Sequence, residues 1–426
     1  MSSRVEVSGS AGTARNSLHY PWLLIGLLWC VSFLNAADRS IVVAVLPHLR
    51  EEFALTATQL ALVNSIFFWV YAVAAFACGQ LGDRLRRTSI IIGGLAFWSI
   101  ATGLVPLSTG FAMLLASRAL VALGESAYYP AATALISDWH RPQMRSRALS
   151  LHQTAVFAGG GLGAFFAGFI ADRLGWRAPF LLFGVIGLLF CLVLLKWLRD
   201  APRVTLCAAH AKENQGASPL RSVLRQPAAL MLCGVFFLAN GASTGVLVWA
   251  PTYVHDAVGL NLADSALYGA ATISIAGFLA VPLGGWLADT FAAKTPIGRF
   301  HTLAIGLTLA ALFLLPLTVA STAAAVGAVL LASSIGKGLF DGCIYAAMHD
   351  VVPAQARATA VGLMTMLGFI GGGLTPIFVA HAGEVLGMAA GLASLAILYF
   401  IATAVLLLTR STTLRAVLDT RRLEQA

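Results

Sequence analysis

Residues 57–87 read ATQLALVNSIFFWVYAVAAFACGQLGDRLRR. From Ala57 to Leu81 there is no charged side chain, and then Gly82-Asp83-Arg84-Leu85-Arg86-Arg87 follows at once. About 20 apolar helical residues cross the hydrocarbon core of a bilayer, so 57–81 is long enough to span it. The basic turn behind it belongs in water. The same punctuation returns 206 positions later (285 minus 79), where Gly285-Trp286-Leu287-Ala288-Asp289 closes another apolar run.

The composition of the whole chain agrees with this segment. Of 426 residues, 59% are apolar and 11% charged, with a mean hydropathy of +0.84, whereas a soluble domain carries about 25% charged residues. The main solvent is therefore lipid. The formal charge of +9 does not point to nucleic acid, because the basic residues form short clusters between apolar runs rather than one polar face. Cys30, Cys78, Cys191, Cys207, Cys233 and Cys343 show no C-x-x-C spacing, and all but Cys207 fall in apolar segments, so reduced thiols are expected.

Apolar windows place spans near 20–46, 57–81, 88–107, 111–137, 148–171 and 178–198. A second set lies near 229–254, 265–288, 300–319, 323–349, 356–380 and 387–409. Residues 1–19 form a polar tail, and the apolar run after it is too long for a signal-peptide core, so it is kept as the first span. The expected organisation is a tail (1–19), a six-helix bundle (20–198), a linker (199–228), a second six-helix bundle (229–409) and a tail (410–426).

Arg84, Arg86, Arg87, Arg141, Arg145, Arg147, Lys294, Arg299, Arg357, the linker and both termini share one side; only Arg50, Arg173 and Arg177 lie opposite. The positive-inside rule makes the first side cytoplasmic, in a plasma (bacterial inner) membrane.

The two sets are copies of one another. A shift of 212 (371 minus 159) lays Gly159-Gly160-Gly161-Leu162 on Gly371-Gly372-Gly373-Leu374. It also pairs Gly124 with Gly336, Asp138 with Asp350, Gln143 with Gln355 and Arg145 with Arg357. A shift of 205 lays Asn35 on Asn240, where the halves diverge: Asp38 and Arg39 fall on Ser243 and Thr244. The fold class is an all-α membrane protein, twelve transmembrane helices in two pseudo-symmetric six-helix bundles. Its site is expected near the midplane, exposed alternately to each side.

Gly79-Gln80-Leu81-Gly82-Asp83-Arg84-Leu85-Arg86-Arg87 resembles the loop signature G-x-L-a-D-r-x-G-r-r of the major facilitator superfamily, departing from it at Arg86. An acid at a helix end beside a basic turn can pair with the neighbouring bundle and latch the cytoplasmic face. Gly79, Asp83, Arg84, Arg87, Asp289, Arg145 and Arg357 are the expected gate; plain positive-inside anchoring is the simpler alternative. Asn35-Ala-Ala-Asp38-Arg39, Arg118-x6-Glu125-Ser126, Ser137-Asp138-Trp139 and Gly175-Trp176-Arg177 look like the anion:cation symporter family, as does Phe67-Phe68-Trp69-Val70-Tyr71-Ala72. Gly82-Asp83-Arg84 running into Ala96-Phe97-Trp98-Ser99, with Gly124-Glu125-Ser126, also resembles the Spinster-like transporters.

Six ionisable residues fall inside apolar spans: Asp38, Arg39, Arg118, Glu125, Lys337 and Asp341. Intramembrane charges cost several kcal/mol unless they face a cavity or a partner, so each is a functional candidate. Asn35, Asp38 and Arg39 stand at i, i+3 and i+4 on one helix face; Arg118 and Glu125 are seven apart, and Lys337 and Asp341 four apart. At about 1.5 Å per residue, Glu125 and Lys337 come near the midplane. Three acids and three bases cancel, so an incoming anion leaves excess negative charge. Low hydration and a neighbouring anion both disfavour an ionised carboxylate, which makes proton uptake on Asp38 or Glu125 a route to symport.

The anion:cation symporter resemblance implies the same roles: Asp38 and Glu125 as the proton-coupled acids, Arg39 as the carboxylate ligand and Arg118 as the partner holding an acid. Asp341 joins the coupling set, Lys337 the ligands and Asn35 the ion-pair support. The plain alternative is that Asp38 with Arg118, and Lys337 with Asp341, are static pairs fixing helix register. Tyr71, Tyr129, Gln153, Asn240 and Trp249 are placed in the cavity lining, with packing or interhelical hydrogen bonds as the alternative.

The glycine runs at 159–163 and 371–373 lack the G-x-x-x-x-G-K-[ST] of a phosphate loop and read as close helix packing. The nine histidines show no ligand spacing, so no metal and no cofactor is expected. No nucleophile and base constellation supports an enzyme. The expected activity is proton-coupled symport of a small organic anion, a carboxylate or sugar acid, by a monomer in the lipid bilayer. The alternative, through the Spinster resemblance, is transport of a lysophospholipid or other amphipathic lipid.

Overall fold

The computed structural model describes residues 11–201, 218–259, 265 and 267–425. Twelve helices among them are long and apolar enough to cross a bilayer. We number them α1 (Tyr20–Leu46), α2 (Leu62–Arg84), α3 (Arg87–Leu107), α4 (Phe111–Trp139), α5 (Pro142–Leu174), α6 (Arg177–Trp197), α7 (Pro227–Asp256), α8 (Thr272–Lys294), α9 (Gly298–Thr318), α10 (Ala323–Val351), α11 (Ala354–Leu386) and α12 (Met388–Leu408). Twelve crossings return the chain to the side it started from. That side, which also carries the α6–α7 linker, is called the linker face; the other is the far face.

The spans fall where apolar runs predict them, and the differences have local causes. Thr56 and Gln59 form a reciprocal cap, with Gln59 N donating to Thr56 Oγ1 at 3.2 Å and Thr56 N to Gln59 Oε1 at 2.9 Å. This starts the helix that becomes α2 by satisfying backbone donors that its first turn leaves open. The expected eighth span, 265–288, instead begins with a π turn at Leu267–Ala271 and runs on to Lys294. Asp289 stays inside the helix because its carboxylate is taken up by a neighbouring helix end rather than by water. Ser218 caps a short helix, Pro219–Leu224, within the expected linker. The expected tail after residue 409 contains a helix, α13 (Arg410–Gln425), which buries Ala416 and Val417 and lies against the Ile344–Val351 turns of α10.

Two spans are broken at informative places. α4 is helical over Phe111–Ser126 and again over Tyr128–Trp139. Pro130 has no N–H and its ring collides with the carbonyl four residues back, so the helix resets just past Glu125. α10 breaks after Asp341, between Ala323–Asp341 and Ile344–Val351.

Small residues set the packing. A Cβ on Gly159 would meet the backbone of Phe33 in α1, and one on Gly163 that of Ala37; Gly371 stands against Phe237 of α7 in the same way. Gly160, Gly161 and Gly373 meet nothing within 4 Å, so the glycine runs press on α1 and α7 through only part of their length. The two six-helix halves touch through α2 against α11 and α5 against α8. Gly79 and Gly362 let the first pair close, with the would-be Cβ of Gly79 at 3.1 Å from the Gly362 Cα. The five described cysteines are free thiols; Cys207 and most of the linker lie outside the described residues.

On the far face, Arg177 is more than a topology signal. Its guanidinium grips Glu52 at 2.5 and 3.0 Å and donates to the Pro106 carbonyl at 3.1 Å, while Trp176 Nε1 also donates to Glu52. The Arg177 hydrogen bonds, then that of Trp176, hold the Glu52 carboxyl below its usual range.

Two outcomes are expected. Gly163→Leu forces α1 from α5 and costs about 1–3 kcal/mol, as overpacking does, whereas Gly161→Leu leaves the thermal midpoint in detergent within a degree or so of wild type by the usual scatter of surface changes. Because the folded Glu52 carboxyl is depressed, its contribution exists above the ordinary carboxylate range and is lost as pH falls through it. The small gap in thermal midpoint between wild type and Glu52→Gln, worth about 0.2–1 kcal/mol for an exposed pair, is therefore present at neutral pH and closes below about pH 4.

Candidate functional site

The α1 charges point into the first half and meet α4. Arg39 Nε donates to Glu125 Oε2 at 2.7 Å, and its NH2 donates to Asn35 Oδ1 at 2.6 Å. The i, i+4 spacing of Asn35 and Arg39 brings both to one face, and the Arg39 guanidinium lies 4.6 Å from the centre of the Tyr71 ring of α2. The Glu125 side chain has no solvent exposure, yet the Arg39 side chain keeps 26%. A cation that holds a fully buried acid is thus itself reachable.

Asp38 turns away from this pair and accepts a 2.5 Å hydrogen bond from Thr102 Oγ1 of α3. Arg118 is buried and lies over the Phe67 ring at 4.8 Å, with Arg39 over the same ring at 5.3 Å. It stands within electrostatic reach of both Glu125 and Asp38 without a close ion pair to either. Asp38 Oδ1, Glu125 Oε1, Asn35 Nδ2 and Arg118 Nε are all buried and have no hydrogen-bond partner. Buried polar atoms are rarely left so, and here four belong to one constellation of two acids, two cations and an amide.

In the second half, Lys337 Nζ holds both oxygens of Asp341, at 2.6 and 2.7 Å. The pair borders a small cleft of about 30 Å³, whose wall includes Ser243, Ser334 and Tyr399 and, from the first half, Phe157. Phe157 enters against Gly277 of α8, where any Cβ would strike the ring. Gln153 lies one turn earlier on the same face of α5. Tyr71 stacks on Phe369 of α11 at 4.7 Å between centroids, and Tyr129 packs on Tyr345 of α10 at 5.2 Å. Asn240 and Trp249 tie α7 to α11, donating at 2.9 Å to the carbonyls of Gly368 and Pro376; these donors are spent inside the second half.

At the linker face a charge lattice joins the two halves. Asp83 accepts the backbone N–H groups of Ala358 and Thr359, at 3.1 and 2.7 Å, on the first turn of α11. Asp289 does the same for Ser146 and Arg147 of α5, at 3.2 and 2.9 Å. Each carboxylate thereby caps a helix of the other half, where the dipole and unpaired N–H groups favour an anion. Arg87 pairs with Asp138 and, at 3.7 Å, with Asp83; Arg357 reaches Asp138 at 3.1 Å and Arg145 reaches Asp350 at 3.2 Å. Arg299 joins Asp289 at 2.7 Å to Asp350 at 2.5 Å and also donates to Ser146 Oγ at 2.7 Å. Between these pairs Ser137 Oγ meets His349 Nδ1 at 2.7 Å. Arg84 is exposed at the rim, and Arg86, also exposed, pairs with Asp200 at 3.1 Å.

Of the expected gate, Gly79, Asp83, Arg87, Asp289, Arg145 and Arg357 come together. Arg299, Asp138, Asp350 and His349 belong to the same lattice, and sequence reasoning gave none of them a place in it. The signal was present in the repeat: the shift of 212 that pairs Asp138 with Asp350 also sets Ser137 on His349 (349 minus 137).

Two pseudo-equivalent helical halves, ion pairs buried inside their spans and a charge lattice that joins them at one face are the parts of a membrane transporter. Residues 28–376 match the Major Facilitator Superfamily, and the chain belongs to that superfamily. It is 29% identical over 399 residues to a hexuronate transporter of Bacillus subtilis, covering 89% of this chain and 94% of that one. Among solved structures it resembles the superfamily transporter FucP in its outward conformation (TM-score 0.71, 17% identity, 90% and 97% of the two chains). It also resembles a bacterial homologue of the human lysosomal transporter Spinster, inward-facing and unoccupied (TM-score 0.64, 21% identity, 93% and 98%).

Arg299→Gln is expected to open the linker face, because it leaves Asp289 and Asp350 buried without their shared cation, a loss of about 3–5 kcal/mol for a broken buried pair. The check is the distance between spin labels at Gln143→Cys and Lys294→Cys in a cysteine-free background. It should lengthen and broaden in the variant.

Proposed function

We propose that this transporter is a proton-coupled symporter of small organic anions bearing a carboxylate, working as a monomer with both termini in the cytoplasm. The observation that carries the reading is the 2.7 Å bond between Arg39 and Glu125, made by a cation that remains partly accessible beside the unpartnered donors of Asn35 and Arg118. A guanidinium is a planar fork suited to a carboxylate, and here one prong is occupied by the protein's own acid and another by the Asn35 amide oxygen. Cargo and Glu125 compete for it.

The competition supplies coupling. Asp38, Glu125, Arg39 and Arg118 sum to zero charge when all are ionised, so a bound carboxylate leaves one uncompensated negative charge in a poorly hydrated place. A proton on Glu125 restores neutrality and frees Arg39 Nε–H for the cargo. Binding of anion and of proton thus favour one another, which is the thermodynamic content of symport. The acid is at the α4 break made by Pro130, so its loss of charge is felt where the helix is least constrained. Asp38, with its free Oδ1, is the second proton carrier; Lys337 grips both oxygens of Asp341, which makes that acid the weaker candidate and a neutraliser of Lys337.

The relative's printed cargo, a hexuronate, joins a carboxylate to hydroxyl groups, and the small cleft beside Lys337, Ser243 and Tyr399 suits a hydroxyl. The first-half cluster is built of charges and an amide rather than the apolar trough that an acyl chain needs, which favours the anion over the lipid.

Uptake of D-glucuronate into proteoliposomes tests the reading. Wild type should accumulate it only under an inward proton gradient. Glu125→Gln should lose gradient-driven accumulation while keeping exchange of labelled for unlabelled cargo, and Arg39→Lys should weaken binding on the order of tenfold or more, the worth of a charge-assisted hydrogen bond. Accumulation by Glu125→Gln equal to wild type would refute the coupling role. Failure of every organic acid to be transported would refute the anion reading itself.

A further inference from the structure

The repeat exchanges a phenylalanine between the halves. The shift of 212 that superposes the glycine runs also lays Phe157 on Phe369 (369 minus 157), and the shift of 206 that lays Gly79 on Gly285 also lays Tyr71 on Gly277 (277 minus 71). These four positions meet in space. Phe369 of α11 crosses to the first half and stacks on Tyr71 of α2 with centroids 4.7 Å apart, in an apolar cluster otherwise drawn from residues 41–183. Phe157 of α5 crosses the other way and lies on Gly277 of α8, where a Cβ would strike its ring.

The two contacts differ in what they leave over. Tyr71 fills its place with a ring that also carries the Arg39 guanidinium at 4.6 Å. Gly277 fills nothing, and beside it lies the cleft of about 30 Å³ bordered by Lys337, Asp341, Ser243, Ser334 and Tyr399. Among the described residues of that wall, Phe157 alone comes from the first half. A single water needs about 10–15 Å³ of such space, so the cleft admits a hydroxyl-sized group and no sugar ring. Its depth matches the charges. Glu125 stands 14 residues from the α4 end at Trp139, Lys337 14 from the α10 end at Val351 and Phe157 15 from the α5 start at Pro142 (139 minus 125, 351 minus 337, 157 minus 142). At about 1.5 Å per residue, all three lie roughly 21–23 Å from the linker face.

We propose that Phe157, seated on Gly277, sets the size of the cargo: the transporter takes free monosaccharide acids and excludes their bulky glycosides. The inference rests on the anion reading above. With the carboxylate held at Arg39, the second half offers the rest of the molecule one hydroxyl-sized place, where Asp341 accepts the hydroxyl hydrogen. A large substituent on the ring meets Phe157 instead. Because the phenyl ring belongs to α5 and its notch to α8, the wall is made by the approach of the two halves and withdraws with α5 when they part.

The experiment is equilibrium binding of three labelled acids to the full chain in nanodiscs: glycolate, which is too short to reach past Arg39, D-glucuronate, and phenyl β-D-glucuronide. Wild type should bind the first two and bind the phenyl glucuronide at least about tenfold more weakly than D-glucuronate, the scale on which a pocket discriminates by size. Phe157→Ala should close that gap; Phe157→Leu, which should narrow it, serves if the alanine variant does not fold. Gly277→Ala drives the phenyl ring into the cleft and should weaken D-glucuronate on the order of tenfold relative to glycolate. Adding Phe157→Ala to Gly277→Ala should restore D-glucuronate, the non-additivity expected of two residues in contact. Equal loss of glycolate and D-glucuronate in Gly277→Ala is what plain helix packing gives, and it overturns the proposal. A wild type that binds the phenyl glucuronide as well as D-glucuronate overturns it too. Wild-type binding of glycolate and D-glucuronate with ratios unmoved by the variants sinks this inference alone, whereas a wild type that binds none of the three acids takes down the anion reading and this one with it.

Discussion

A charge inside a bilayer has to find its counter-charge within the protein, and the structure follows from how that is done. Asp38, Arg39, Arg118, Glu125, Lys337 and Asp341 all lie in spans. Arg39 and Glu125 belong to different helices, α1 and α4, and their bond is the kind of buried pair whose desolvation cost nearly cancels its attraction. Such a pair adds little to stability, but a change in protonation or an arriving anion easily redirects it. The Lys337–Asp341 pair lies on one helix at i, i+4 and can persist however the halves move. In the proposed coupling, the first half carries the pair that is exchanged and the second the pair that stays.

The linker face uses the same physics with a different geometry. Asp83 and Asp289 each cap a helix of the opposite half through two backbone N–H groups, so the latch is made twice by the repeat. Charge-assisted bonds to backbone donors are strong while dry and are readily exchanged for water when the interface parts. Arg299 joins the two acids on its side into one unit, and the opening of one bond exposes the others. In the proposed transport cycle, cooperative release of this kind suits a face that is either shut or open.

Small residues supply the close helix contacts. Gly159 and Gly163 bring α5 onto α1, Gly371 brings α11 onto α7, and Gly79 with Gly362 brings α2 onto α11. Contacts without side chains lack the interlocking that would fix helices in one register, while the charged clusters select which register is occupied. The break in α4 after Glu125 and that in α10 after Asp341 put local freedom beside the ionisable groups.

The sequence by itself determined the membrane class, the twelve spans and the two-fold repeat, since apolar length and spacing are one-dimensional properties. It also determined that Asn35 and Arg39 share a helix face, and that the acids at 83 and 289 occupy matching places. Only the tertiary structure decided that Arg39 bonds Glu125 while Asp38 goes to Thr102, because partner choice across helices depends on crossing angles that no single helix encodes. It likewise placed Asn240 and Trp249 as ties between α7 and α11, and drew Arg299, Asp138, Asp350 and His349 into one lattice. In sequence those residues are ordinary loop-end charges and a lone histidine; their meaning comes from the junction of two halves 212 positions apart.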